Sequence, residues 1–106
     1  MAEMDLRQAL LRFLDDRVFL PIVNADSSRH TAGDRRMLAR VQESVRGTRR
    51  RYYEDYASAE SVKNNFFSDL ASTAGRNLAG DLFLLKLPTF EDVREEFQEL
   101  CRMHHI

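Results

Sequence analysis

Leu38, Val41, Val45, Thr48 and Tyr52 recur along the chain at alternating steps of three and four. That spacing matches the α-helical repeat of about 3.6 residues per turn; a strand with one buried face alternates every second residue instead. The same period returns in Leu6, Ala9, Leu10, Phe13 and Leu14, in Val62, Phe66, Leu70 and Thr73, and in Phe90, Val93, Phe97, Leu100 and Cys101. Strand alternation is absent, apart from a stretch around "RVFLPIV" that reads as briefly extended. The expectation is an all-α fold, a compact bundle of four to five helices forming one domain over residues 1–106.

Local signals set the limits of each helix. Asp5 followed by Gln8 has the form of a capping box, which starts a first helix at Leu6 and runs it to about Phe19. Pro21 lacks an amide hydrogen and crowds the preceding turn, so it is expected to end or kink that helix. The stretch 24–34 is rich in turn residues and reads as a loop, with Asp34 capping a second helix that reaches about Tyr56. Gly47 weakens the middle of that helix by about 1 kcal/mol relative to alanine. Ser58 caps a third helix, which either stops at Gly75 or continues through it into "RNLAGDLFLLKL". Pro88 closes that segment, and Thr89 with Asp92 three residues later caps the last helix.

The apolar share of 43% suffices for a core, and the charged share of 31% argues for helices with solvated faces. A net charge of −1 favours neither nucleic acid nor a membrane surface. The single cysteine excludes an internal disulfide and fits a reducing compartment. Acids near the first methionine argue against a signal peptide, and no apolar run approaches the roughly 20 residues a membrane helix needs. A cytoplasmic protein without membrane association is the expectation.

Charge is nevertheless segregated. From Arg29 to Arg51, eight arginines stand against Asp34 and Glu43; from Asp81 to Leu100, six acids stand against Lys86 and Arg94. "VRGTRRRYYEDY", residues 45–56, concentrates Arg46, Arg49, Arg50 and Arg51 beside three tyrosines. On a helical wheel Tyr52 and Tyr56 each fall within about 20° of Val45 and turn inward, while Tyr53 points aside to an exposed position. Arg50 reaches Glu54 and Arg51 reaches Asp55 at the four-residue spacing that supports a helix. An edge around Arg46, Arg49 and Tyr53 then remains open, and Arg46, Arg49, Arg50, Arg51 and Tyr53 are the candidate partner-binding residues.

Glu91, Glu95 and Glu99 line one face of the final helix. Such a stripe repels itself unless a basic partner neutralises it. The arginine helix of the same bundle, a second copy in a symmetric dimer, or another protein would each supply that partner.

Patterns that carry chemistry are weak by comparison. "YASAE" is short enough for a DNA-reading helix pair with Asn64 and Asn65, but Phe66 and Phe67 follow at once and Lys63 is the lone nearby cation. Cys101, His104 and His105 share a helix end, yet a closed zinc site needs four ligands and His30 lies in a distant loop, so a frayed terminus with a half-buried thiol is the better account. Asp15 and Asp16 diverge by about 100° on a helix and make no shared-proton dyad. No glycine-rich phosphate loop or dinucleotide fingerprint occurs. The function expected is a small non-enzymatic helical protein acting by docking to another protein or to a second copy of itself, without cofactor or metal. The alternative is a nucleic-acid-binding regulator that uses the arginine-rich second helix.

Overall fold

The first helical rod does not stop where Pro21 leads one to expect. In the computed structural model, which describes residues 3–26, 28 and 31–106, α1 spans Glu3–Leu14. A π-helical turn, Asp15–Phe19, carries it into α2, Leu20–Val23. Leu20 N–H donates to the Asp15 carbonyl, a bond spanning five residues. The widened turn makes room for the Pro21 ring, which in a regular α-helix would press on the carbonyl four residues back. Asp5, expected as a cap, lies inside the first turn of α1 instead.

Helix α3, Ala32–Asp55, is capped by Thr31, whose hydroxyl accepts from the Asp34 amide at 3.2 Å. The expected cap at Asp34 is thus displaced by three residues, and Asp34 occupies the third helical position. Ser27, Arg29 and His30 of the preceding loop lie outside the described residues. At 24 residues, α3 is about 36 Å long, and it sets the long dimension of a 46 × 21 × 19 Å molecule.

Ser58 caps α4, Ala59–Ala71, as the sequence predicts. The break that follows falls at Ser72 and not at Gly75. Ser72 ends α4 and caps α5, Thr73–Leu84, by accepting from the Gly75 amide at 2.9 Å. Gly75 is still what permits the corner: a Cβ there would lie 1.8 Å from the Asp69 carbonyl oxygen. The helix closes with Leu87 N–H on the Leu82 carbonyl and Lys86 N–H on that of Phe83. This Schellman pattern places Lys86 at a φ of 59°.

Thr89 and Asp92 cap each other reciprocally, at 3.0 and 3.2 Å, before a 3-10 turn, Glu91–Val93, and α6, Arg94–Met103. The chain end is not frayed: Ile106 N–H bonds the Cys101 carbonyl and His105 that of Arg102, a second Schellman closure. All regular structure among the described residues is helical, as expected of an all-α bundle.

The core gathers Leu10, Leu14, Phe19 and Ile22 from the first rod with Val41 and Tyr52 of α3, Phe66 of α4 and Phe97 of α6. Phe66 stacks on Phe97 with ring centroids 4.1 Å apart, and Phe19 meets Tyr52 edge-on at 5.5 Å. Each such ring contributes about 2–3 kcal/mol by leaving water, which is what holds α4 and α6 onto the rod.

Candidate functional site

The first rod and α3 run antiparallel, and their shared seam consumes much of the arginine cluster. Asp15, 7% exposed, sits in the π-turn at a position buried with Leu11 and Val18. A carboxylate there needs partners to offset its lost hydration. Arg49 supplies two, Nε at 2.7 Å and Nη2 at 3.0 Å, and the Tyr53 hydroxyl donates a third bond at 2.5 Å. The Arg49 guanidinium also lies 4.6 Å from the centre of the Tyr53 ring. Tyr53 is therefore half-buried and turned inward, contrary to the exposed position its wheel angle implies. Burial, with Asp15 as acceptor, pushes its phenol up to about 12.

The two rods also close each other's ends. Arg7 of α1 donates from Nε to the Tyr56 carbonyl and from Nη2 to the Tyr53 carbonyl, both at 2.6 Å. Gln42 of α3 turns its amide to the carbonyls of Ile22, Val23 and Ala25 at 3.1, 3.3 and 3.1 Å. Carbonyls in the last turn of a helix lack intrahelical donors, so each long element supplies what the other's terminus needs.

Arg51 does not reach Asp55. It donates to Asp69 at 3.2 Å and to the Tyr56 hydroxyl at 2.9 Å, while the buried Tyr52 hydroxyl donates to the same Asp69 oxygen at 2.8 Å. Arg46 keeps its neighbour Glu43 at 3.5 Å. Arg50 is exposed and pairs with neither Glu54 nor any other described residue. Of the four arginines, Arg46, Arg50 and Arg51 are exposed while Arg49 and Tyr53 are half-buried, so the open edge is not the Arg46, Arg49 and Tyr53 group that the wheel suggests.

The acidic face is likewise divided. Glu91 pairs with Arg94 at 3.4 Å and Glu99 with Arg102 at 2.5 Å, both on its own segment. Glu96, not singled out by the sequence, is clasped by Arg17 of the first rod. Those guanidinium bonds hold the Glu96 and Glu99 carboxyls below the usual range. Glu95 is exposed and has no ion pair among the described residues. The ion pairs of Arg40, Arg46, Arg49 and Arg51 go to Asp81, Glu43, Asp15 and Asp69, so α3 does not neutralise α6. Packing decides this: α6 lies on α1, where Phe97 meets Phe13 at 5.9 Å.

Chemistry elsewhere is quiet. Cys101 is buried, and burial pushes its thiol up, towards the protonated and inert form. Asn65 donates to the Ser61 carbonyl of its own helix at 2.9 Å. No group of three or more metal-ligating side chains occurs among the described residues, and no helix among them is long and apolar enough to cross a membrane.

What stands out is α5. Phe83 is 77% and Leu84 68% exposed, side by side, although Leu82 and Leu85 around them are buried. On its inner flank α5 borders a cleft of about 350 Å³ whose walls include Val45, Leu70, Leu78 and Phe90. Its charged lining is balanced, Arg51 and Arg76 against Asp69 and Glu91, so it suits an apolar occupant. Sequence reasoning passed over this face, yet the signal was there: "LFLL", residues 82–85, is a continuous apolar run, and one buried stripe of a helix cannot absorb all of it. Comparison with protein-family models, curated proteins and solved structures finds no match.

Proposed function

We propose that this chain is a non-enzymatic docking protein whose contact surface is the outer face of α5. The exposure of Phe83 and Leu84 carries the reading. Leaving two large apolar side chains in water forgoes about 1.5–3 kcal/mol each. Isolated exposed apolar residues are ordinary, but an adjacent aromatic and aliphatic pair at one end of a helix is the kind of apolar patch that contact surfaces use. The buried ionisable groups support a structural over a catalytic role. Asp15, Asp69, Tyr52 and Tyr53 each spend their hydrogen bonds on one another or on arginines within the fold.

Affinity purification from the native cells tests the proposal, comparing the wild-type chain with a Phe83→Ser, Leu84→Ser double variant. Both substituted positions are exposed, so the melting temperature should be unchanged. The expected result is a protein recovered in constant proportion with the wild type and lost with the variant. Recovery of the same proteins by both chains would overturn the assignment of α5.

A further inference from the structure

We infer that the partner covering α5 is a second copy of this chain, which contributes the face formed by α6 and α1. The inference rests on the docking role of α5 and names its occupant.

Two apolar surfaces lie open, and the charges left unpaired at their rims, among the described residues, are of opposite sign. On the first, Phe83 and Leu84 are followed by the exposed Lys86. The Arg40–Asp81 contact at 3.7 Å fixes the register of α3 against α5. Arg36, exposed and one turn before Arg40, therefore adds a cation toward the same end. The second surface is a shallow hollow floored by Phe13, Leu100 and Met103 and rimmed by Glu95, Glu96 and Glu99, of which Glu96 is held by Arg17 and Glu99 by Arg102. Met103 is 63% exposed there, and Glu95 has no ion pair among the described residues.

Each surface has what the other lacks: an aromatic and aliphatic ridge beside the unpaired cations Arg36 and Lys86, and a thioether-floored hollow whose unpaired charge is the Glu95 carboxylate. Within one molecule they cannot meet. The Arg49–Asp15 pair sets Phe13 against the C-terminal part of α3, and the thirteen residues from Arg36 to Arg49 span about 20 Å of helix. Between two molecules the separation becomes an asset. Two rods side by side and antiparallel bring each ridge against the other's hollow, closing a two-fold dimer in which the ridge-to-hollow contact is formed twice. Charge complementarity would set that orientation and disfavour the parallel one, in which like rims face each other.

Sedimentation equilibrium across protein and salt concentrations tests this with the full chain and two single-face variants, Phe83→Glu and Met103→Glu. Both residues are exposed, and circular dichroism confirms that each variant is folded. The wild type is expected to self-associate, more weakly as salt rises, and each variant alone to associate about tenfold more weakly or less still. A mixture of the two variants should recover association, because one keeps its hollow and the other its ridge. Three results overturn the proposal: a wild type monomeric at every concentration, a Met103→Glu variant that associates like the wild type, or a mixture that recovers nothing. A monomeric wild type whose co-purified partner is still lost on changing Phe83 and Leu84 would leave α5 a docking face and remove only the second copy as its occupant.

Discussion

The seam between the first rod and α3 and the outer face of α5 are built on opposite terms. At the seam, polar groups that burial would penalise are matched in place: Asp15 by Arg49 and Tyr53, and helix-end carbonyls by Arg7 and Gln42. On α5, apolar groups that burial would reward are left in water. A buried polar group without its partner costs about 1–3 kcal/mol, so the seam specifies one register and tolerates little change. An exposed apolar group costs the fold nothing it has already gained, so α5 is free to change without unfolding the protein. The contrast separates the part of the molecule that determines structure from the part left available for contact.

The sharpest way to break the contrast is at the corner where α5 leaves α4. Gly75→Ala would place a methyl group 1.8 Å from the Asp69 carbonyl oxygen, and the α4–α5 corner would have to open. A destabilisation of about 3 kcal/mol is expected in urea unfolding. Gly80→Ala on the same helix is the matched control, since a Cβ there meets nothing within 4 Å. It should stabilise by up to about 1 kcal/mol through helix propensity alone. Equal effects at the two glycines would mean that the corner is not the tight element the geometry makes it.

Next in size is the seam itself. Asp15→Ala removes the acceptor shared by Arg49 and Tyr53 and leaves both donors without it, at an expected cost of about 2 kcal/mol by thermal or urea unfolding. The partly exposed Arg49 recovers some hydration, which keeps the figure below that of a fully buried pair. A variant as stable as the wild type would show that the three-way bond contributes nothing net.

The helices themselves were readable from apolar spacing because a buried stripe must repeat with the helix. Ser58 and the Thr89–Asp92 pair were readable because capping is local chemistry. Three features escaped for physical reasons. Pro21 is expected to end or kink its helix; the helix instead runs on through a widened turn that absorbs the ring, and which remedy a chain adopts depends on packing beyond the local sequence. Helical spacing assigns Arg51 to Asp55 and leaves Arg49 open, whereas the two pair with Asp69 and Asp15 on other elements. Helical spacing shows which local pairs are within reach, but not which more distant group burial will leave needing one. Asp15 did carry a trace of its role, being an acid on the stripe of Leu11 and Val18, and such a residue demands a distant partner. The candidate contact face was the least legible, since a helix's open side is defined by what fails to pack on it.

The smallest effect expected at the seam belongs to the Tyr53 hydroxyl, and pH resolves it. In an unfolded chain a tyrosine ionises near pH 10, whereas burial and the bond to Asp15 push Tyr53 up to about 12 in the folded state. The neutral phenol is the form the fold favours. Its contribution is therefore fully present below about pH 10 and is lost as pH rises from there toward 12. Tyr52, raised by burial and by Asp69, shifts in the same direction, so wild-type stability should fall across this window from both groups. Tyr53→Phe keeps the ring beneath Arg49 and deletes only the O–H. It should cost about 1 kcal/mol at neutral pH and make the alkaline fall shallower by the share that Tyr53 carries, as followed by urea unfolding at stepped pH and phenolate absorbance. If the variant's fall parallels the wild type's, Tyr53 is not donating to Asp15, and that carboxylate is held by Arg49 alone.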